Sequence, residues 1–578
     1  MAVKWTDEQR KVIDLRNRNI LVSAAAGSGK TAVLVERIIK KITDQENPVD
    51  IDRILVVTFT KAAASEMRER TSEAIEKLRE ENPEDENLLR QSTLIFNSQI
   101  TTIDSFCLFV VRNHFGEINL DPNFRIADTG EIKLLELDAL DDCFEENYAR
   151  KDNAAFINLI DLYGNSRSDE KVRDMVLKIY RMSQSDSWPK EWIRNLGRLY
   201  SVSSVEELQQ MPIVKQTVKY VKSIMADYRD TLIKMQHVAL SPDGPDKYLP
   251  ALEADIGLFE ALESIEDYND LYDFFAAFKM GNLAPIRDKA ASEEKKAKKE
   301  LVQSTRNAIK KEIDSIRKEY FSTDISVLIE QLHRLSPVIN ELIRLTIEYT
   351  KRVEQVKKEK RIVDFGDIEH FALQIFVDRE SRECTATARE FRNHFEEIMI
   401  DEYQDSNQVQ EDILYSISKN EDGANNMFMV GDVKQSIYRF RLARPELFMY
   451  KYNTYESEDS LNQKIDLHKN FRSRREVIEF TNDIFYKIMQ ADMGGVSYDK
   501  DSALYLGASY AEDDDKKAEL LLIDTNDEDF AQILEEEDSK AIRIEALAVA
   551  QKINQMMQSM SITDKGTGEK RALRFSDI

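Results

Sequence analysis

Lys30 and Thr31, which close the run SAAAGSGKT, are the residues of this chain best suited to chemistry. Gly27 and Gly29, with Ser28 between them, allow backbone N–H groups to close around phosphate oxygens where a Cβ would intrude. Lys30 is then placed to reach β- and γ-phosphates, and the Thr31 hydroxyl to sit on Mg2+. The usual phosphate loop has glycine where this chain has Ala24, so a Gly-Ser-Gly turn opening an ordinary helix stays open as an alternative. A second set follows far along the chain, where EEIMI runs into Asp401 and Glu402. Asp401 suits a Mg2+ site, and Glu402 suits accepting a proton from an attacking water. Alone, the pair also reads as a capped helix start; with the loop at Lys30, the hydrolytic reading is the stronger one. Gln435, in GDVKQ, is placed to sense a γ-phosphate, and Arg472, in LHKNFRSRR, to stabilise transition-state charge.

Two further groups suggest ligands of other kinds. Gln9, in WTDEQR, is either a solvated helix residue or an amide able to read an adenine edge. Tyr438 and Phe440 alternate with Arg439 and Arg441. Rings interleaved with arginines suit single-stranded nucleic acid, whose bases stack at roughly 1–3 kcal/mol each; buried aromatics are the plainer alternative.

These groups need a scaffold that brings them together. The β-type run Ile20 to Val22 leads through the glycine loop into helix-period positions Val33, Leu34, Ile38 and Ile39. RILVVTFT passes into KAAASEMRER, QITTIDSF repeats the transition, and Met427 to Val430 supplies another apolar run. Repeated β–α alternation predicts an α/β fold with a doubly wound parallel sheet, whose ligands sit at the carboxyl ends of the strands. Thr58, Phe59, Thr60, Thr101, Thr102 and Ser105 fall on that edge. Between about 121 and 361 strand signals thin out, and helical periodicity and charge take over. The stretch from Lys289 to Lys318 is locally basic; it is either a phosphate-tracking face or simply a solvated one. Past residue 456 a second alternation is expected, with a strand at Leu520 to Ile523, a helix near Ala541 to Met557 and an incipient strand at Leu573. The end at Ile578 is expected to fall inside that element.

Composition bounds the rest. At 578 residues, about two to four domains are expected. No apolar run long enough to span a membrane is present, and MAVKWTDEQR lacks a signal-peptide core, which predicts a cytoplasmic protein without a membrane. Three distant cysteines form no metal or disulfide pattern. A net charge of −26 excludes a uniformly basic coat for gripping duplex DNA but permits a local basic groove.

In order and rough spacing, WTDEQ, SAAAGSGKT, VVTFTKAAASEMRER, TTIDSF, IMIDEYQDSN, VGDVKQSIYRFRLARP and LHKNFRSR resemble superfamily 1 DNA helicases of the UvrD/RecB type. VDFGDIEHFAL and RFRLARPELF point within that family to the AddA-type helicase–nucleases. The resemblance implies a RecA-like P-loop NTPase domain formed by residues 1–120 and 362–455, a helical insertion over 121–361, and the start of a second RecA-like domain at 456–578. It implies ATP and Mg2+ as ligands. Gln9, Ala24, Gly27, Ser28, Gly29, Lys30, Thr31, Arg37 and Phe471 would lie about the nucleotide. Thr31 and Asp401 would hold the metal, and Lys30, Glu402, Gln435 and Arg472 would act in hydrolysis. Phe59, Thr60, Thr102, Ser105, Tyr438, Phe440 and Arg441 would line the strand path. The implied activity is 3′→5′ DNA unwinding in double-strand-break repair, on single- and double-stranded DNA, with an AddB-type partner. Further helicase motifs and a nuclease domain would lie after Ile578. A UvrD-like translocase without nuclease and a non-hydrolysing, nucleotide-gated scaffold are the rival readings.

Overall fold

The computed structural model describes residues 4–164, 168–286, 292–439, 442–491, 495–510, 517–523, 540–564 and 567–578. Six strands form the central sheet: β1 (Asn19–Ala24), β2 (Ile54–Thr58), β3 (Gln99–Thr102), β6 (Glu397–Ile400), β7 (Met427–Gly431) and β8 (Asn462–Leu467). Their order is β3-β2-β6-β7-β1-β8, and every neighbouring pair is parallel. Helices α1 (Asp7–Asp14), α2 (Lys30–Ile42), α3 (Lys61–Glu81), α4 (Glu86–Leu94) and α5 (Ile103–His114) alternate with the first three strands.

The continuous apolar strands make sense because both faces of the sheet are covered. Side chains alternate along a strand, so Ile20 and Val22 enter one core with Leu34, Ile38 and Met67, while Leu21 enters the other with Phe106, Val110 and Ile368. Ile54 and Val56 divide from Leu55 and Val57 in the same way.

Two short strands, β4 (Arg125–Ile126) and β5 (Ile362–Val363), pair in parallel and draw together the two ends of a long helical stretch. Its longest members are Pro212–Leu240, Glu293–Tyr320 and Ile325–Lys360. They have their own core around Val221, Leu232, Phe259 and Phe275, with an Arg306–Asp255 ion pair of 2.6 Å buried inside it. Of the locally basic stretch, Lys289 lies outside the described residues.

The chain divides into two compact units, Met1–Ser473 with Asn482–Ala508, and Arg474–Thr481 with Ser509–Ile578. The first differs from expectation at its end. β8 lies beyond the boundary expected at residue 455, yet it pairs along its whole length with β1 and completes the first sheet. It carries on into β9 (Lys469–Asn470), which pairs with β10 (Tyr505–Leu506). In the second unit the expected strand at Leu520 to Ile523 is absent from the described residues, and Leu520, Leu521 and Leu522 are exposed. An apolar run becomes a strand only where a neighbour supplies a ladder and cover. Helix Lys540–Ser559 is present, followed by the antiparallel hairpin of β11 (Ser561–Thr563) and β12 (Lys570–Ala572), which ends just before Leu573.

Candidate nucleotide site

The loop between β1 and α2 is built on two left-handed glycines, Gly27 at φ 72° and Gly29 at φ 84°. Gly29 caps α2 without any side-chain bond, so the helix N-terminus offers its first N–H groups outward. Gly27 is further confined: an added Cβ would stand 2.7 Å from Asn470 Oδ1 and 2.9 Å from Arg472 Cβ. The cause is a crossing contact in which Phe471 N donates to Gly27 O at 2.8 Å. Asn470 Oδ1 accepts from Arg472 N and Ser473 N at 2.8 and 2.7 Å, fixing that turn. The loop therefore holds Phe471 and Arg472 beside it, although they stand at opposite ends of the sequence.

Gln9 braces the loop from the other side. Its Nε2 donates to Ser28 O at 3.0 Å, and its Oε1 accepts from Thr6 N at 3.0 Å in the capping box of α1. One amide hydrogen and one lone pair are left for a ligand. Ser28 Oγ is buried with no hydrogen-bond partner among the described residues.

Lys30 Nζ donates to both carboxylate oxygens of Glu402 at 3.0 Å, joining the loop to the end of β6. Glu402 stands at φ 52°, a left-handed conformation that non-glycine residues seldom take and that here aims its carboxylate at the loop. Gln404 secures it: Nε2 donates to Glu402 Oε2 at 2.9 Å, and Oε1 accepts from Asp432 N at 3.0 Å. Burial, then the neighbouring Glu402 charge, push the Asp401 carboxyl up to about 6 against the pull of Lys30. Burial and Glu402 likewise raise Asp405 to about 6. Negative charge is thus in excess here, and the hard oxygen donors Thr31 and Asp401 have the chemistry to hold Mg2+, an ion that takes few protein ligands and shares the rest with phosphates. No cluster of three His, Cys, Asp or Glu side chains able to hold a metal alone occurs among the described residues.

Gln435 is positioned by Asp432, whose Oδ2 accepts from its Nε2 at 2.8 Å; Asp432 is itself buried and paired with Lys434. At the neighbouring strand ends, the Phe59 and Tyr438 rings meet at a tilt of 31°, with centroids 4.6 Å apart. Thr60 is exposed and caps α3 through Ala63 N. Thr102 is buried, caps α5 through Ser105 N, and shares a hydroxyl bond of 2.9 Å with Ser105. Phe440 and Arg441 lie outside the described residues.

Two of the expected nucleotide neighbours are buried. Arg37 has no exposed surface: it meets Glu397 at 2.6 and 3.3 Å, donates to Val12 O, and lies over the Phe428 ring at 4.5 Å. Burial alone would raise the Glu397 carboxyl, but Arg37 and Lys41 hold it below its ordinary value. Ala24 is the last residue of β1 and is packed in the core. Asn470, Gln404 and Asp432 hold these side chains and turns in place without having been expected to. Each stands within one of the motifs, and that adjacency is the only signal the sequence carries for them.

The family model of the UvrD/REP helicase N-terminal domain matches residues 5–456. A Lachnoclostridium phytofermentans protein whose name describes an ATP-dependent helicase/nuclease component is 43% identical over 603 aligned positions, covering 99% of this chain and 43% of that protein. Proteins of the same name from Clostridium beijerinckii and Bacillus cytotoxicus are 39% and 40% identical; each alignment covers 100% of this chain, and 48% and 46% of theirs. The chain spans somewhat less than half the length of these curated relatives. With that family model covering most of its length, including the phosphate loop and the carboxylate pair, the chain belongs to the UvrD/REP helicase N-terminal domain family.

Proposed function

We propose that this chain is the ATP-driven motor portion of a 3′→5′ DNA helicase, part of a helicase–nuclease that works in double-strand-break repair and recombination with an AddB-type partner in the cytoplasm. The observation that carries the reading is the contact of Lys30 with both oxygens of Glu402. It brings a phosphate-binding cation and a water-activating carboxylate within one bond of each other. A γ-phosphate arriving at the loop competes for the Lys30 ammonium, and the exchange frees Glu402 to take a proton from water. Gln435 and Arg472 face the same reaction from two other strand ends. Mg2+ held by Thr31 and Asp401 would neutralise phosphate charge. Gln9 and Phe471 flank the position of the base.

The domain division goes with this reading: 1–120 and 362–455, now extended through β8, form the first RecA-like domain, 121–361 an insertion, and the remainder leads into a second motor domain. Phe59 and Tyr438, with Thr60 nearby, offer a stacking edge for single-stranded DNA. The relatives' printed names support the helicase and nuclease parts of the proposal; none of the residues described above is assigned to a nuclease.

ATP hydrolysis by the chain, with and without single-stranded DNA, tests the proposal beside Glu402→Gln. The variant should bind ATP as the parent does and hydrolyse it about 10²–10⁴-fold more slowly. Equal hydrolysis by the two would remove Glu402 as the base.

A further inference from the structure

One buried acid belongs to none of the roles above. Glu369 lies on helix Phe365–Phe376 and is almost without exposed surface. Its Oε1 accepts from Gln410 Nε2 at 2.7 Å, and its Oε2 from Asn407 Nδ2 at 3.3 Å. Those amides form the capping box of helix Gln408–Ser416, which begins just after Asp401 and Glu402. Gln410 also lines a small cavity with Asp401, Glu402, Phe59 and Ile103, between the ends of β2 and β6. On its other side Glu369 faces the carboxyl of Asp104, in the first turn of α5, between Thr102 and Ser105.

We propose that Glu369 is a positioning residue that couples the two halves of the site, joining the helix behind the hydrolytic carboxylates to the helix that begins at the strand-binding edge. The proposal rests on the ATP and DNA reading above. Two facing carboxyls, one buried and one half-buried, cannot both ionise cheaply, so they share one proton. Burial first, and then the Asp104 charge, raise Glu369 to about 7; burial also raises Asp104, against the pull of Lys61. The other titratable neighbour on α5 is the Cys107 thiol, pushed well up by its own burial and therefore neutral. From helix Gln408–Ser416 and its cap the partners are the Asn407 and Gln410 amides. Loss of the shared proton leaves Asp104 and Glu369 repelling each other and uncouples the two helices.

The test measures the affinity of the chain for a fluorescent single-stranded oligonucleotide, with and without a non-hydrolysable ATP analogue and Mg2+. The ratio of the two affinities is the coupling. The parent should show a ratio of about fivefold or more at pH 6.5, decreasing toward pH 8.5. Glu369→Ala should bring it to within about twofold of unity while each ligand alone binds nearly as before. Glu369→Gln, whose amide accepts from Gln410 and donates to the Asp104 carboxylate, should keep the coupling and lose its pH dependence. A parent ratio of one, unchanged coupling in folded Glu369→Ala, or a Glu369→Gln profile that matches the parent would each overturn the inference. If Glu369→Ala does not fold, the Glu369→Gln profile decides alone. A parent that binds neither ligand would instead overturn the functional reading on which the inference rests.

Discussion

Helix α2 carries two basic side chains that meet carboxylates in opposite ways. In its first turn Lys30 holds Glu402 in a contact that keeps part of Glu402 open to solvent. Two turns later Arg37 holds Glu397 with no exposed surface on the arginine, a backbone carbonyl on a third nitrogen and an aromatic ring beneath. The first pair can exchange partners, because solvent or phosphate can replace either member. The second cannot, because an Arg37 charge left there without Glu397 has no water and no other carboxylate, only the Val12 carbonyl. A single helix thus locks its middle into the sheet through Glu397 on β6 and leaves its N-terminus available for chemistry with the residues that follow the same strand. That shared strand gives the Lys30–Glu402 contact a rigid base.

Breaking the locked pair should have the largest effect. Glu397→Ala strands Arg37 and the nearby Lys41, and should lower stability by about 3–5 kcal/mol, read as the shift of a chemical denaturation midpoint. The exchangeable end should respond in binding, with a smaller cost in stability. Gly27→Ala forces a side chain into the left-handed region and against Asn470 and Arg472, so it should cost about 1–3 kcal/mol of stability and at least tenfold in nucleotide affinity by calorimetry. Gly29→Ala has the same backbone strain but meets only Gln9 Nε2, at 3.6 Å, and should be the milder of the two. Equal losses at the two glycines would mean that the Asn470–Arg472 turn contributes nothing. The smallest effect is set by pH. Asp401 binds a proton below about 6, so a cation must displace that proton there. Mg2+-dependent nucleotide affinity should be flat above pH 7, about twofold lower near pH 6, and fall further below it.

The loop, the carboxylate pair and the β–α alternation are legible in the sequence because each is local: its residue types and spacing follow from one turn or one strand. What is less legible depends on distant partners. The resemblance places Arg37 near a bound base, but its burial against Glu397 is not legible, because a glutamate opening an apolar strand carries no mark of burial. Asn470 reads as a polar residue in a basic run, yet it shapes the turn that abuts Gly27. β8 falls beyond the expected first domain because NQKIDL opens on three polar residues and has only Ile465 and Leu467 as apolar ones, unlike the continuous apolar runs of the doubly buried strands before it. Leu520 to Ile523 shows the converse, an apolar run with no neighbouring strand among the described residues to pair with it.

The most direct measurement is calorimetric titration of the chain and its Lys30→Ala variant with ATP and Mg2+, alongside their melting curves. Because Lys30 belongs to the exchangeable end, the variant should melt as the parent does and lose at least about a hundredfold in nucleotide affinity, as expected when a charge-assisted phosphate contact is removed. Equal affinity in the two proteins would contradict the placement of the nucleotide at this loop.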